Sequence, residues 1–166
     1  VEDEGDAFGA SDTGKGSTAQ VEFVSANPTG PLHIGHGRGA AVGDSLVSIM
    51  RFAGYDAKAE YYINDAGKQM QTLGRSIWLR ALELAGQNSI PFPDDCYQGE
   101  YIKELALEMM KDDPALLALP EAEGVHKCYR YGMHVIMEGI RKDLADFNVH
   151  QDVWFSELSL LEDGSV

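Results

Sequence analysis

The sequence has 166 residues, of which 44% are hydrophobic, and a formal net charge of −14. That length carries one ordinary domain, or part of a larger one, with a core of its own, and the hydrophobic share excludes wholesale disorder. The acidic excess excludes a strong nucleic-acid grip within these residues; the absence of any apolar run near the ~20 residues of a membrane helix, and of a basic-then-apolar leader, makes a cytoplasmic protein the expectation.

Residues 1–18 are rich in Glu, Asp, Gly and Ser without an apolar period, which predicts a flexible acidic leader. Gly9 to Gly16 comes close to a phosphate-binding P-loop. Gly16 stands where Ser or Thr would ligand magnesium, and no apolar strand precedes it, so a turn is the expectation. A strand follows over 19–25, read as a nearly continuous apolar, central parallel strand. Glu22 is out of keeping there: it either reaches solvent or a salt bridge, or serves as a carboxylate that a ligand cation requires.

The strand breaks at Asn27-Pro28 and Gly30-Pro31, and a helix is predicted over 35–53 with Val42, Leu46, Ile49 and Met50 on its buried face and Gly54 as its stop. His33 and His36 stand at the helix start among Gly35, Gly37 and Gly39. A helix start exposes backbone N–H groups and the positive end of the helix dipole, and glycines allow a ligand close to the backbone, so the junction suits a phosphate. Two imidazoles there add hydrogen bonds or positive charge to phosphate oxygens whose charge rises in a transition state. Arg38 and Asp44 read as helix-surface charges. The run Gly35-His36-Gly37-Arg38-Gly39 superficially suggests a dinucleotide site, but that fingerprint needs glycine at position 40, where Ala stands.

A second strand is predicted over 56–63, then a helix capped by Asn64-Asp65 and ending at Gly86. Strand, helix, strand, helix is the opening of a doubly wound parallel sheet, whose ligands bind beyond the carboxyl ends of the strands. Residues 87–98 read as a loop, 99–111 as a helix, 112–119 as a cap and short turn, and 121–148 as a long helix with Val125, Tyr129, Val135, Ile136, Ile140, Leu144 and Phe147 at helical spacing. Residues 94–123 carry nine acidic and two basic side chains, a solvated face. His126, His134 and His150 stand singly and read as structural, and Cys96 and Cys128 as free thiols. Strand character returns over 152–157.

The string His33-Ile34-Gly35-His36 is the first signature of class I aminoacyl-tRNA synthetases. Its flanks, Val21 to Leu32 and Gly37 to Asp44, with Glu60 to Gly67 and Asp152-Val153-Trp154-Phe155-Ser156-Glu157, resemble arginyl-tRNA synthetases in particular. The resemblance implies an α/β, Rossmann-like parallel sheet, incomplete here, with a mainly helical insertion. It divides the chain into the leader 1–18, a first βαβα part over 19–86, the insertion over 87–149 and a return to the catalytic domain over 150–166. It implies activation of arginine by ATP with Mg2+, then transfer to tRNA-Arg. His33 and His36 would be catalytic; His33, Gly35, His36 and Gly37 would hold ATP; Glu22, Ser25 and Asn27 would hold arginine; no protein-bound metal site is expected. Asn64 and Gln69 would face the site on resemblance alone. The second signature, a Lys-Met-Ser-Lys-like loop, is absent, so the chain is expected to be the first part of a catalytic domain, inactive alone, with most tRNA contacts elsewhere and unpaired strand edges that allow self-association. Other nucleotidyltransferases with a His-x-Gly-His string, and a nucleotide-binding module without activity, are the alternatives.

Overall fold

The computed structural model describes residues 3, 5–87, 91–162 and 164–165. Its contacts fall into two compact units, one of residues 1–26, 32–64 and 142–166, the other of residues 27–31 and 65–141.

The first unit is built on three parallel strands, β1 (Thr18–Glu22), β2 (Asp56–Ile63) and β3 (Val153–Ser156), in the order β1-β2-β3. Helix α1 (Ile34–Phe52) connects β1 to β2, as a βαβ unit requires. Among the described residues β1 has a strand neighbour on one side only, β2, whereas a central, doubly covered strand is the sequence expectation. Its sequence Thr-Ala-Gln-Val-Glu alternates, and exposure alternates with it, so Gln20 and Glu22 face solvent while Ala19 and Val21 are half-buried. Tyr61 stacks on Trp154 at 4.6 Å and Tyr62 on Phe155 at 5.9 Å, both pairs in register across β2 and β3.

The face of α1 turned to the core differs from the one its large residues suggest. Ala40, Gly43 and Val47 are buried, whereas Val42 and Ile49 are each 65% exposed and Leu46 46%. Close packing explains the reversal: a Cβ at Gly43 would lie 2.1 Å from the Phe23 ring, so only small residues let the helix lie this near β1. Gly54, at φ 88°, stops the helix as expected, with Tyr55 N–H donating to Met50 and Gly54 N–H to Arg51. The glycine run before β1 forms turns bonded to that end, Ser11 N–H to Phe52 O and Gly14 N–H to Ala53 O, and Gly14 is closed against the Tyr55 ring.

β3 is held at its start by Asp152, whose carboxylate accepts from Ala59 N–H and from the Arg51 guanidinium, each at 2.6 Å. The Ala59 bond, more than the nearby Arg51 charge, holds this carboxyl below the usual carboxylate range, against partial burial. A carboxyl so depressed stabilises the folded chain above its unfolded value and loses that contribution as pH falls through the folded one. Asp152→Asn is therefore expected to lower the melting temperature at pH 7, with the gap to the parent narrowing below about pH 4, as denaturation followed across that range would show.

The second unit holds α2 (Lys68–Leu84), α3 (Glu100–Asp112) and most of α4 (Glu121–Asp146). Leu73, Ile77, Ile102, Leu116 and Ile140 are among its fully buried side chains. Close approach again uses glycine: a Cβ at Gly74 would meet Val125 O at 2.4 Å, and one at Gly132 would meet Ile77. The cap expected at Asn64-Asp65 does not form. Gly67, at φ 80°, precedes the first helical residue, no side chain caps it, and Asp65 is buried with its carbonyl accepting from Tyr129 OH. Phe147 likewise lies beyond α4 and is exposed, because Asn148 at φ 59° ends the helix in a left-handed turn. Cys96 and Cys128 are free and buried, and burial pushes the Cys128 thiol up to about 12.

Candidate functional site

The chain turns sharply just after β1. Val24 and Ser25 take φ values of 67° and 38°, a left-handed region that a β-branched residue rarely enters, at about 1–3 kcal/mol each. Neighbouring bonds hold the turn there. Phe23 N–H donates to Glu60 O at 3.1 Å, extending the ladder one residue past β1. The Ser25 hydroxyl oxygen then accepts from Tyr62 N–H at 3.0 Å, standing in for the carbonyl that the bent backbone no longer offers. Tyr61 OH donates to Ala26 O at 2.8 Å, and burial pushes that phenol up to about 12, so it stays a donor.

By residue type Tyr61 and Tyr62 are simply favourable strand residues. Nothing in their spacing marks Tyr61 as the clamp of this turn, although a phenol on an otherwise apolar face needs a partner. Ser25, expected at the arginine pocket, has its oxygen occupied by Tyr62 and keeps its hydroxyl proton to donate. Glu22 ends β1 with its side chain in solvent. Asn27 belongs to the second unit and is exposed.

At the helix start the two histidines are brought together. His33 is the N-cap of α1, with Nδ1 accepting from Gly35 N–H at 3.1 Å, and His36 returns the bond, its Nδ1 accepting from His33 N–H at 3.2 Å. This is the reciprocal arrangement that Ser or Thr and Glu or Gln ordinarily build, made here of two imidazoles. The rings stack with centroids 3.8 Å apart and planes at 27°. Gly35 is needed for that closeness, since a Cβ there would lie 2.8 Å from the His33 ring. A Cβ on Gly37 would meet nothing within 4 Å, so its space is open.

His33, Gly35 and Gly37 line a cavity of about 860 Å³ with Leu32, Ile34 and Arg38. Its remaining walls include Asp143, Leu144 and Asp146 from the end of α4, and Phe147 just beyond it. Arg38, read from sequence as a surface charge, therefore faces a cavity large enough for a nucleotide. Ile34 is 92% exposed at its mouth. Among the described residues no three His, Cys, Asp or Glu side chains are grouped to hold a metal ion, and no helix is long and apolar enough to cross a membrane.

Comparison with known proteins adds an independent line. The family profile described as tRNA synthetases class I (R), catalytic domain, matches residues 6–90. Over 168 aligned residues the chain is 62% identical to the arginine–tRNA ligase of Nitratidesulfovibrio vulgaris (strain DSM 19637 / Miyazaki F), covering 100% of this chain and 30% of that protein. It is 46% identical to the arginine–tRNA ligase of Lawsonia intracellularis over 98% of this chain and 29% of the relative. A solved Campylobacter jejuni structure, assigned as an arginyl-tRNA synthetase, superposes with TM-score 0.83 at 34% identity, covering 97% of this chain and 35% of its own. The Thermus thermophilus arginyl-tRNA synthetase, at TM-score 0.58 and 24% identity, shares the fold over 93% of this chain and 26% of its own. The chain thus spans about 30% of the length of the curated relatives it matches. The parallel α/β sheet, the paired histidines and the match over 6–90 agree: this chain belongs to the class I tRNA synthetases (R), within their catalytic domain.

Proposed function

We propose that the protein carrying this chain is an arginine–tRNA ligase, which activates arginine with ATP and passes it to tRNA-Arg in the cytoplasm. The observation that carries this is the pair of stacked imidazoles capping α1 beside a nucleotide-sized cavity, in a chain 62% identical to a protein of that name.

In the first step a carboxylate oxygen of arginine forms a bond to the α-phosphorus of ATP, and the bond from that phosphorus to the bridging oxygen breaks, releasing pyrophosphate. His33 and His36 serve the phosphates with the backbone at Gly35 and Gly37, supplying donors where negative charge accumulates. Magnesium enters as part of the substrate, on the phosphate oxygens. Glu22, Ser25 and Asn27 hold arginine: Glu22 offers an exposed carboxylate for the guanidinium, and Ser25 a hydroxyl proton. The organisation read from sequence, with the leader 1–18, the βαβα part 19–86, the helical insertion 87–149 and the return 150–166, is part of this proposal. The main tRNA contacts lie outside these residues, as the charge of −14 suggests. The open edge of β1 and the exposed Val42, Leu46 and Ile49 favour self-association of the piece, which sedimentation as a strict monomer at high concentration would refute.

Arginine-dependent exchange of pyrophosphate into ATP by the complete polypeptide tests the reading. Exchange driven by arginine and by no other amino acid is the expected result; exchange indifferent to arginine would sink it. The 166 residues alone are expected to show no aminoacylation, measured as arginine transferred to tRNA.

A further inference from the structure

Two imidazoles facing a triphosphate could act through charge, as imidazolium ions, or through hydrogen bonding, as neutral donors. We infer that His33 and His36 act as neutral donors whose tautomer is fixed by the helix start itself, because each spends Nδ1 as an acceptor for a backbone N–H. The inference rests on the nucleotide-site reading above and adds the protonation state and the donating atom.

A neutral imidazole carries one proton and one lone pair in the plane of its ring. With Nδ1 of His33 accepting from Gly35 N–H, and Nδ1 of His36 accepting from His33 N–H, the lone pair is on Nδ1 in both rings and the proton on Nε2. Among the described residues neither Nε2 has a protein partner, so both N–H groups remain for a ligand oxygen. Protonating either Nδ1 would turn an acceptor into a donor facing a donor and would undo the cap.

The ring pair itself acts in the same direction. Rings stacked at 3.8 Å resist becoming two cations. His36 sits below its ordinary value first because it is partly buried and second because His33 is beside it. The charged groups on the cavity that His33 lines are Arg38 of α1 and Asp143 and Asp146 of α4. Asp146 is already engaged by Lys142 within α4. The glycines fit this economy: a side chain at position 35 would collide with the His33 ring.

Amide side chains offer the same pair of functions, an oxygen that can accept the backbone N–H and an NH2 that can donate outward. Carboxylates offer only the first. Hence His33→Asn and His36→Gln in the complete polypeptide are expected to keep arginine-dependent pyrophosphate exchange within about 10-fold of the parent, and His33→Asp and His36→Glu to lose about 100-fold or more, with all four melting normally. Nitrogen-15 spectra of histidine-labelled protein should show Nδ1 bare and Nε2 protonated for both residues at pH 7, and exchange should rise with pH to a plateau reached by about pH 7, with no fall above it. Imidazolium or Nδ1-protonated rings at pH 7, amide variants no better than the carboxylates, or exchange declining as pH rises through 7 would each overturn the inference. If the parent shows no arginine-dependent exchange, the functional proposal fails, and the nitrogen-15 spectra still decide whether the cap fixes the tautomer.

Discussion

His36→Ala in the complete polypeptide is expected to lower arginine-dependent pyrophosphate exchange by about 100-fold or more and to leave the melting temperature almost unchanged. The asymmetry follows from what the side chain does in each state. In folding, its Nδ1 satisfies one backbone N–H, that of His33, at an exposed helix start where water can take over the bond. Alanine at this position also favours the helix, which offsets part of the loss. In the proposed reaction, its Nε2–H would meet a phosphate oxygen as negative charge builds, in a site from which the ligand displaces water. A single well-placed donor of that kind is worth about 3 kcal/mol in a transition state, or roughly two powers of ten in rate. Exchange and melting measured on the same preparation separate the two roles. An unchanged exchange rate would remove His36 from the mechanism, and a lost fold would make it structural.

What the sequence made legible was largely local. The apolar period, Gly54 and Gly86 located α1, β2 and the end of α2, because helix stops act through a few neighbouring residues. That His33 and His36 stand together at a helix start was likewise visible from their spacing, whereas the bonds by which they cap it were not. What stayed hidden depended on contacts far apart in the chain. Which face of α1 is buried is decided by how near Phe23 comes to Gly43, and a pattern that rewards large apolar residues chose Val42, Leu46 and Ile49 instead. The strained turn at Val24 and Ser25 depends on Tyr61 and Tyr62, more than 35 residues onward, and no local propensity encodes such a clamp. Asp65 resembled a helix cap because Asp often is one, but Gly67 moved the helix start past it.

The nearness of Phe23 and Gly43 leads to the other large effect. Gly43→Val is expected to destabilise the chain by about 3 kcal/mol or more, whereas Gly39→Ala, on the same helix, should leave stability unchanged or raise it by up to about 1 kcal/mol. By sequence alone the two look alike, each a glycine in a helix that disfavours glycine. Structure separates them. A Cβ at position 43 would lie 2.1, 2.4 and 2.6 Å from Cγ, Cδ2 and Cβ of Phe23, the near end of a buried ring with no room to swing. A Cβ at position 39 would have nothing within 4 Å. To admit valine, α1 must lift from β1, and the lift would carry the His33 cap with it. Exchange activity should therefore fall in Gly43→Val even at temperatures where the chain remains folded, while Gly39→Ala keeps its fold at higher denaturant. Urea titrations of both variants, read beside pyrophosphate exchange, test the coupling between the glycine seat of α1 and the imidazoles at its tip. Gly43→Val melting like the parent would show that the helix can shift without cost, and the close packing of α1 would then not be what positions His33.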